Sequence, residues 1–170
     1  MRQLVLGLLG MPLIAGFSFG ATVSGTETDR LVQDRKVMAT ARKYSEAVSC
    51  QIDRPAEVIR LRANDERGLG ALYLTYWVAD RGCYGGKGSV FVNYALIEQA
   101  GYASVDPVVV GTDDKRYRMP EMVLNDITRV SVRDGYLYVF GIGYGDKDEP
   151  GWPTSKKAYL IPIGRFLRNP

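Results

Sequence analysis

Two runs of alternating polar and apolar residues meet at Asp134 and Gly135, and this feature constrains the fold more than any other. Residues 127–133 alternate before the dipeptide, and residues 136–140 continue the alternation after it. An Asp-Gly pair between two such runs favours a two-residue hairpin turn, because this turn requires positive φ angles. The sequence therefore predicts an antiparallel hairpin, in which side chains two residues apart lie on the same face.

Much of the remaining chain also has the two-residue period of strands. Further strands or extended segments are expected at residues 57–62, 72–78, 89–94, 107–110 and 157–161. The strands on either side of a glycine-rich loop at 82–88 are expected to form a second hairpin. Pro162 limits the last strand to an edge or a strand end, because proline cannot donate a hydrogen bond to a neighbouring strand. Residues 96–103 are predicted to form a short helix.

The N-terminal part of the chain has a helical period instead. Between residues 26 and 48 apolar side chains recur at spacings of three, four and seven, and no glycine or proline interrupts them. This pattern indicates an amphipathic helix that needs a surface on which to bury its apolar side. The predicted fold class is therefore α+β, with the N-terminal helix packed on a curved antiparallel sheet of about five to seven strands.

The first residues have the parts of a secretory signal. One positive charge precedes an uncharged apolar stretch, and small residues frame a cleavage point after Gly20 or, as the second choice, after Ala21. We expect residues 1–20 to be a signal peptide and residues 21–170 to be a single domain, located in the periplasm or secreted. A membrane anchor is the alternative. It is disfavoured because glycines and a proline interrupt the stretch, which is shorter than the ~20 apolar residues of a spanning helix.

The chain contains two cysteines, Cys50 and Cys83, and no histidine. Thiols of an exported protein are oxidised, so we expect a disulfide bond between the two. Two cysteines without histidine do not complete a tetrahedral zinc shell or a Cys-His catalytic pair. The acidic residues Asp146, Asp148 and Glu149 do not follow the spacing of a calcium-binding loop, and a solvated turn is expected there. The sequence therefore predicts no metal site and no cofactor.

The charge and glycine patterns argue against nucleic acid and nucleotides as partners. The 22 basic and 19 acidic residues are interspersed, which is typical of a mixed solvated surface. The loop at 82–89 contains Gly and Lys but has neither the spacing of a phosphate-binding loop nor a helix after it. A hairpin tip anchored by the disulfide is the simpler interpretation, and Tyr84 and Lys87 are candidate ligand contacts at this tip. A nucleophilic pair of Lys87 and Ser89 is an alternative for the same segment.

The aromatic content is the most distinctive feature of residues 136–140. Three aromatic side chains alternate with two aliphatic ones, so the two kinds lie on opposite faces of the strand. In one interpretation one row packs in the core and the N-terminal helix partly covers the other. In the second, the aromatic row is exposed and binds a partner, since tyrosine and tryptophan are favoured at the centres of interfaces. The candidate binding residues on and near this row are Tyr136, Tyr138, Tyr144 and Trp152.

Residues 130–159 resemble the C-terminal half of certain small exported proteins and lipoproteins. The Asp-Gly hairpin, a Tyr-Gly pair and residues 148–154 (DEPGWPT) before a closing strand carry the resemblance. Those proteins have an Asp-x-x-Cys-Cys-Pro-Ser/Thr loop at this place, whereas Gly151 and Trp152 stand here where the adjacent cysteines would be. The resemblance implies no activity for this chain.

These observations favour an exported, non-enzymatic module that binds another protein, for instance an inhibitor or immunity protein against a cell-wall-directed hydrolase. A histidine-free hydrolase or a small-ligand carrier is the alternative. A deep cleft with clustered carboxylates would favour the enzyme, and a shallow surface with exposed tyrosine and tryptophan would favour the binding module. After signal cleavage, no membrane-spanning segment is expected to remain.

Overall fold

The computed structural model describes residues 24–63, 70–83, 90–100, 105–111 and 114–167, with side chains from residue 32 onward. The predicted signal peptide and the candidate contacts Tyr84 and Lys87 lie outside these residues. The described elements are α1 (Ser24–Val48), β1 (Gln51–Arg62), β2 (Ala71–Asp80), β3 (Val90–Gln99), β4 (Val108–Val109), β5 (Asp126–Arg133), β6 (Tyr136–Gly143), β7 (Ser155–Pro162) and a 3-10 helix (Ile163–Phe166).

The described strands form two antiparallel sheets, and α1 packs mainly on the first of them. The first sheet has the order β1-β2-β3-β4, and the second has the order β5-β6-β7. One helix packed on antiparallel sheets confirms the predicted α+β class. The sequence predicted a single sheet, and the structure distributes the strands over two sheets that share a core.

Strand β2 is the centre of the first sheet, and all ten of its residues are buried. Its side chains alternate between two apolar clusters, because successive residues of a strand point to opposite faces. Leu72 and Leu74 belong to the cluster between the two sheets, whereas Tyr73 and Trp77 belong to the cluster beneath α1. The polar atoms of Tyr73 and Trp77 form hydrogen bonds on this side of the sheet. The Tyr73 hydroxyl donates to Asp34 at 2.9 Å, and the indole of Trp77 donates to the Ser49 hydroxyl at 2.9 Å.

The predicted disulfide is present between Cys50 and Cys83, whose Cα atoms are 5.4 Å apart. Cys50 follows the end of α1, and its backbone N–H donates to the carbonyl of Asp80 at 2.9 Å. The bond therefore joins the C-terminal end of the helix to the end of β2, which is the structural role that the sequence indicates.

The central hairpin of the second sheet forms as predicted. Asp134 and Gly135 both adopt positive φ angles, 52° and 77°, and they connect β5 to β6. Among the described strands, β7 pairs with β6 only and so forms an edge, at whose end Pro162 lies. One detail of β5 differs from a regular alternation. A register shift between Ile127 and Arg129 changes the phase of the strand, so that Ile127 is buried whereas Arg129 is exposed.

Two further sequence predictions need correction. The helix predicted at residues 96–103 is wrong at its start, because β3 continues to Gln99 and Leu96 and Ile97 pack into opposite clusters of the core. Residues 101–103 lie outside the described residues. The first strand begins earlier than predicted and contains Pro55. Proline is tolerated there because β1 is an edge strand with a register shift between Arg54 and Glu57.

Candidate functional site

The outer face of the second sheet carries the aromatic row that the sequence indicates. Leu137 and Val139 are fully buried, whereas Tyr136 is 40% exposed and Phe140 is 38% exposed. Tyr138, between them, is half-buried. Because α1 packs mainly on the first sheet, it does not provide the cover that the alternative interpretation requires. The aromatic row therefore faces away from the core.

The neighbouring strands complete this surface, which we call the outer face. On β7, Leu160 lies opposite Tyr138 and is 59% exposed, and Ala158 lies opposite Phe140. On β5, Arg129 and Ser131 lie opposite Phe140 and Tyr138. A stripe of aromatic and aliphatic side chains thus runs along β6 and β7.

The cations of the outer face exceed its carboxylates. Arg129 and Lys156 form no ion pair within the part of the chain that the structure describes, and Arg133 contacts its neighbour Asp134 at 2.9 Å. Asp126 begins β5 on the same side, but its carboxylate is paired with Arg54 at 3.1 Å. The outer face is therefore an apolar stripe flanked by positive charge.

A loop between β6 and β7 presents Trp152, whose exposed fraction is 58%. Asp148 organises this loop, because its carboxylate accepts hydrogen bonds from the Thr154 hydroxyl at 2.6 Å and from the amide of Gly145 at 2.8 Å. It also accepts bonds from the amides of Thr154 and Ser155. These donors hold the pKa of the Asp148 carboxyl well below its usual range, and the hydrogen bond from the Thr154 hydroxyl has the largest effect.

The same loop contains a second internal support. The hydroxyl of Tyr144 accepts a hydrogen bond from the amide of Gly151 at 2.8 Å, and Gly151 has a φ of 84° that favours glycine. The amide of Trp152 donates to the carbonyl of Glu149 at 3.0 Å. The loop therefore holds the backbone of Trp152 in one position, and Tyr144 contributes to that support through its hydroxyl.

Trp152 borders a cleft of about 570 Å³ where the ends of the two sheets meet. Its lining residues include three carboxylates, and each has a partner within the fold. Asp80 accepts hydrogen bonds from the amides of Gly82 and Cys83, and Asp53 accepts one from the side chain of Gln51. The third, Asp126, is the partner of Arg54. The carboxylates of the cleft thus hold the turn and strand ends together.

The structure separates the candidate binding residues into neighbouring groups. Tyr136 and Tyr138 lie on the outer face, and Trp152 borders the cleft. Ile142 joins the two places, because it lines both the cleft and a groove on the outer face.

Sequence reasoning missed three residues of the outer face. Leu160 was missed because β7 has apolar residues in both of its alternating rows. Arg129 was missed because simple alternation puts it on the same face as Ile127, which the register shift places in the core. Lys156 carries no signal of its own in the sequence.

The described residues contain no group of three or more His, Cys, Asp or Glu side chains that could hold a metal ion. No helix within the described ranges is long and apolar enough to cross a membrane. No protein-family model, no curated protein and no solved structure matches this chain.

Proposed function

We propose that this chain is an exported, non-enzymatic module that binds another protein through the outer face of its second sheet. The observation that carries the proposal is the exposure of Tyr136, Phe140 and Leu160 on a face that the helix does not cover. Sheets with one solvated face usually alternate apolar residues inward with polar residues outward. Large apolar side chains on the outward side therefore suggest a partner that buries them.

The composition of the outer face suits a protein partner better than a small molecule. Tyrosine and arginine are enriched among the residues that contribute most to protein interfaces, and such residues cluster at the centre of the contact. Tyr138 lies on the central strand of the sheet, with Ser131 on one side and Leu160 on the other. The outer face offers contact area over three strands, whereas a small ligand needs a concave pocket.

The cleft beside Trp152 gives the alternative functions less support. A hydrolase without histidine would need carboxylates that are free to exchange protons with a substrate. In this cleft Asp80 is bound to two backbone amides, and Asp126 is paired with Arg54. These bonds give the carboxylates a role in the fold, and they favour the binding module over the enzyme.

An inhibitor or immunity protein against a cell-wall-directed hydrolase is the form of this function that we favour. Export would place the domain where such hydrolases act, and a disulfide suits an oxidising compartment. The export step has its own test. Intact-mass measurement of protein from the periplasm should give a chain that begins at Ala21 or Thr22, and a retained N-terminus would contradict the proposal.

The binding function is tested by photo-crosslinking in the native host. A photoreactive phenylalanine analogue at Tyr138 should give a discrete crosslinked protein that mass spectrometry identifies. The same analogue at Glu46, which is exposed on α1, is the control position. The double substitution Phe140→Ala and Leu160→Ala should abolish a crosslink made from Tyr138, whereas Val108→Ala, exposed on β4, should not.

Equal crosslinking from Tyr138 and Glu46 would contradict the proposal. So would a discrete crosslink that persists when both Phe140 and Leu160 are alanine. The variants should remain folded at the assay temperature, which their thermal unfolding midpoints would show, because Phe140 and Leu160 lie outside the buried core.

A further inference from the structure

We infer that the partner segment on the outer face is acidic, and that one of its carboxylates docks in a groove between Arg129 and Lys156. This inference rests on the proposed function and gives the partner its chemistry. The groove has a volume of about 500 Å³. Its lining residues are Thr128, Arg129, Phe140, Gly141, Ile142, Lys156 and Lys157.

The strand order places the two cations on opposite sides of one apolar floor. Arg129 on β5 lies opposite Phe140, and Lys156 on β7 lies opposite Ile142, with both apolar residues on the central strand. Neighbouring strands are about 4.8 Å apart, so the backbones of β5 and β7 are separated by about 10 Å. Two long basic side chains can reach a single anionic group from either side of that gap.

The positive charge of this groove is not neutralised from within the described fold. Asp126, which begins β5 on the same side, accepts a hydrogen bond from the amide of Ile127 at 2.8 Å in addition to its ion pair with Arg54. Neither Arg129 nor Lys156 has an ion pair among the described residues. A partner that supplied a carboxylate here would therefore gain a charge complement that the chain itself does not offer.

The floor of the groove indicates the rest of the partner segment. A free anion would need only the two cations, but Phe140 is 38% exposed beside them, and Leu160 continues the apolar stripe along β7. In an extended segment, side chains two residues apart lie on the same face, so a carboxylate with an apolar residue two positions away could fill both parts. Arginine can bind such a carboxylate through two parallel hydrogen bonds, which fixes its orientation.

The first test uses the mature chain, residues 21–170, labelled with ¹⁵N. The probes are two synthetic peptides of about eight residues. In each, leucine, phenylalanine and either glutamate or lysine occupy alternate positions and so share one face, with serine at the positions between. Only the acidic peptide should shift the amide resonances of residues 128–130, 140–142 and 156–158. Its affinity should fall as NaCl is raised from about 50 mM to about 500 mM, because salt screens exposed charges.

The charge-reversal variant Arg129→Glu with Lys156→Glu should weaken binding of the acidic peptide roughly tenfold or more. The matched control is Arg42→Glu with Lys43→Glu, which changes the net charge equally on the exposed side of α1. That control should bind with wild-type affinity. The charge-reversal variant should keep a thermal unfolding midpoint close to that of the wild type, which would exclude a folding defect as the cause. The charge-conserving variant Arg129→Lys should lose less binding than the charge-reversal variant, because it keeps the positive charge but not the two parallel hydrogen bonds.

Equal binding of the two peptides would overturn the inference, as would wild-type affinity in the charge-reversal variant. Neither result would affect the proposed function if the crosslink from Tyr138 still depended on Phe140 and Leu160. Loss of that dependence would refute the proposed function itself. The two experiments therefore distinguish a wrong partner chemistry from a wrong binding face.

Discussion

Replacement of Cys50 and Cys83 by serine should cost a large part of the stability of the domain while leaving its fold intact. The bond joins positions that are 33 residues apart and closes a loop that contains β1 and β2. These two strands also pair along their length, so the native contacts between them do not require the disulfide. The bond is therefore expected to act mainly by restricting the unfolded chain.

The expected magnitude follows from the length of the closed loop. The chain-entropy relation gives about 3.7 kcal/mol at 25 °C for a separation of 33 residues. Typical domains are stable by about 5–15 kcal/mol, so the loss would be a substantial share of the total. In a domain of this size 1 kcal/mol corresponds to about 2–4 °C, and the unfolding midpoint should fall by roughly 7–15 °C.

Denaturant and thermal unfolding, followed by circular dichroism, would measure this loss in the double-serine variant. Reduction of the wild-type protein should reproduce the effect, and alkylation with mass analysis would confirm that its thiols are paired before reduction. A loss below about 1 kcal/mol would refute the reasoning, because it would mean that the bond does not restrict the unfolded ensemble. Quantitative free thiols in protein from the periplasm would also refute it.

Three further predictions follow from individual contacts. Leu137→Ala should lower the free energy of unfolding by about 2–5 kcal/mol, because Leu137 is fully buried. Leu160→Ala should change it by less than about 0.5 kcal/mol, because Leu160 is exposed, and denaturant titration of both variants would check this. Gly141→Ala should cost about 1–3 kcal/mol in the same assay, because its Cβ would overlap a backbone oxygen of β5. The depressed pKa of the Asp148 carboxyl predicts that the NMR resonance of the Gly145 amide stays constant as the pH falls past 3.8, the ordinary aspartate pKa, and changes only at lower pH. Asp148→Asn should shift the same resonance at neutral pH.

The elements with local signals could be predicted from the sequence. Asp134 and Gly135 specify their turn through the φ angles that they adopt, and so the hairpin of β5 and β6 is found where the pattern indicates. The helical period of α1 and the pairing of Cys50 with Cys83 were equally accessible. In each case the decisive interaction lies within a short segment or involves the only residues of its type.

The errors arose where distant packing decides the structure. The segment that begins at Leu96 has a helical spacing of apolar residues, but Leu96 and Ile97 are buried on opposite faces of β3. The division into two sheets depends on which strands pair with one another across the chain, and no local sequence pattern encodes that choice. The opposite faces of Ile127 and Arg129 depend on one register shift, because a shift of one residue moves a side chain to the other face of a strand.

The order of the layers shows that folding alone does not require apolar side chains on the outer face. The described helix covers the first sheet, the two sheets share one apolar cluster, and the second sheet has solvent on its remaining side. Folding requires only that this last face tolerate water, which polar side chains do best. Tyr136, Phe140 and Leu160 on that face add exposed apolar area without filling the core. If their truncation leaves stability unchanged but removes the crosslink from Tyr138, the binding role is what accounts for their presence.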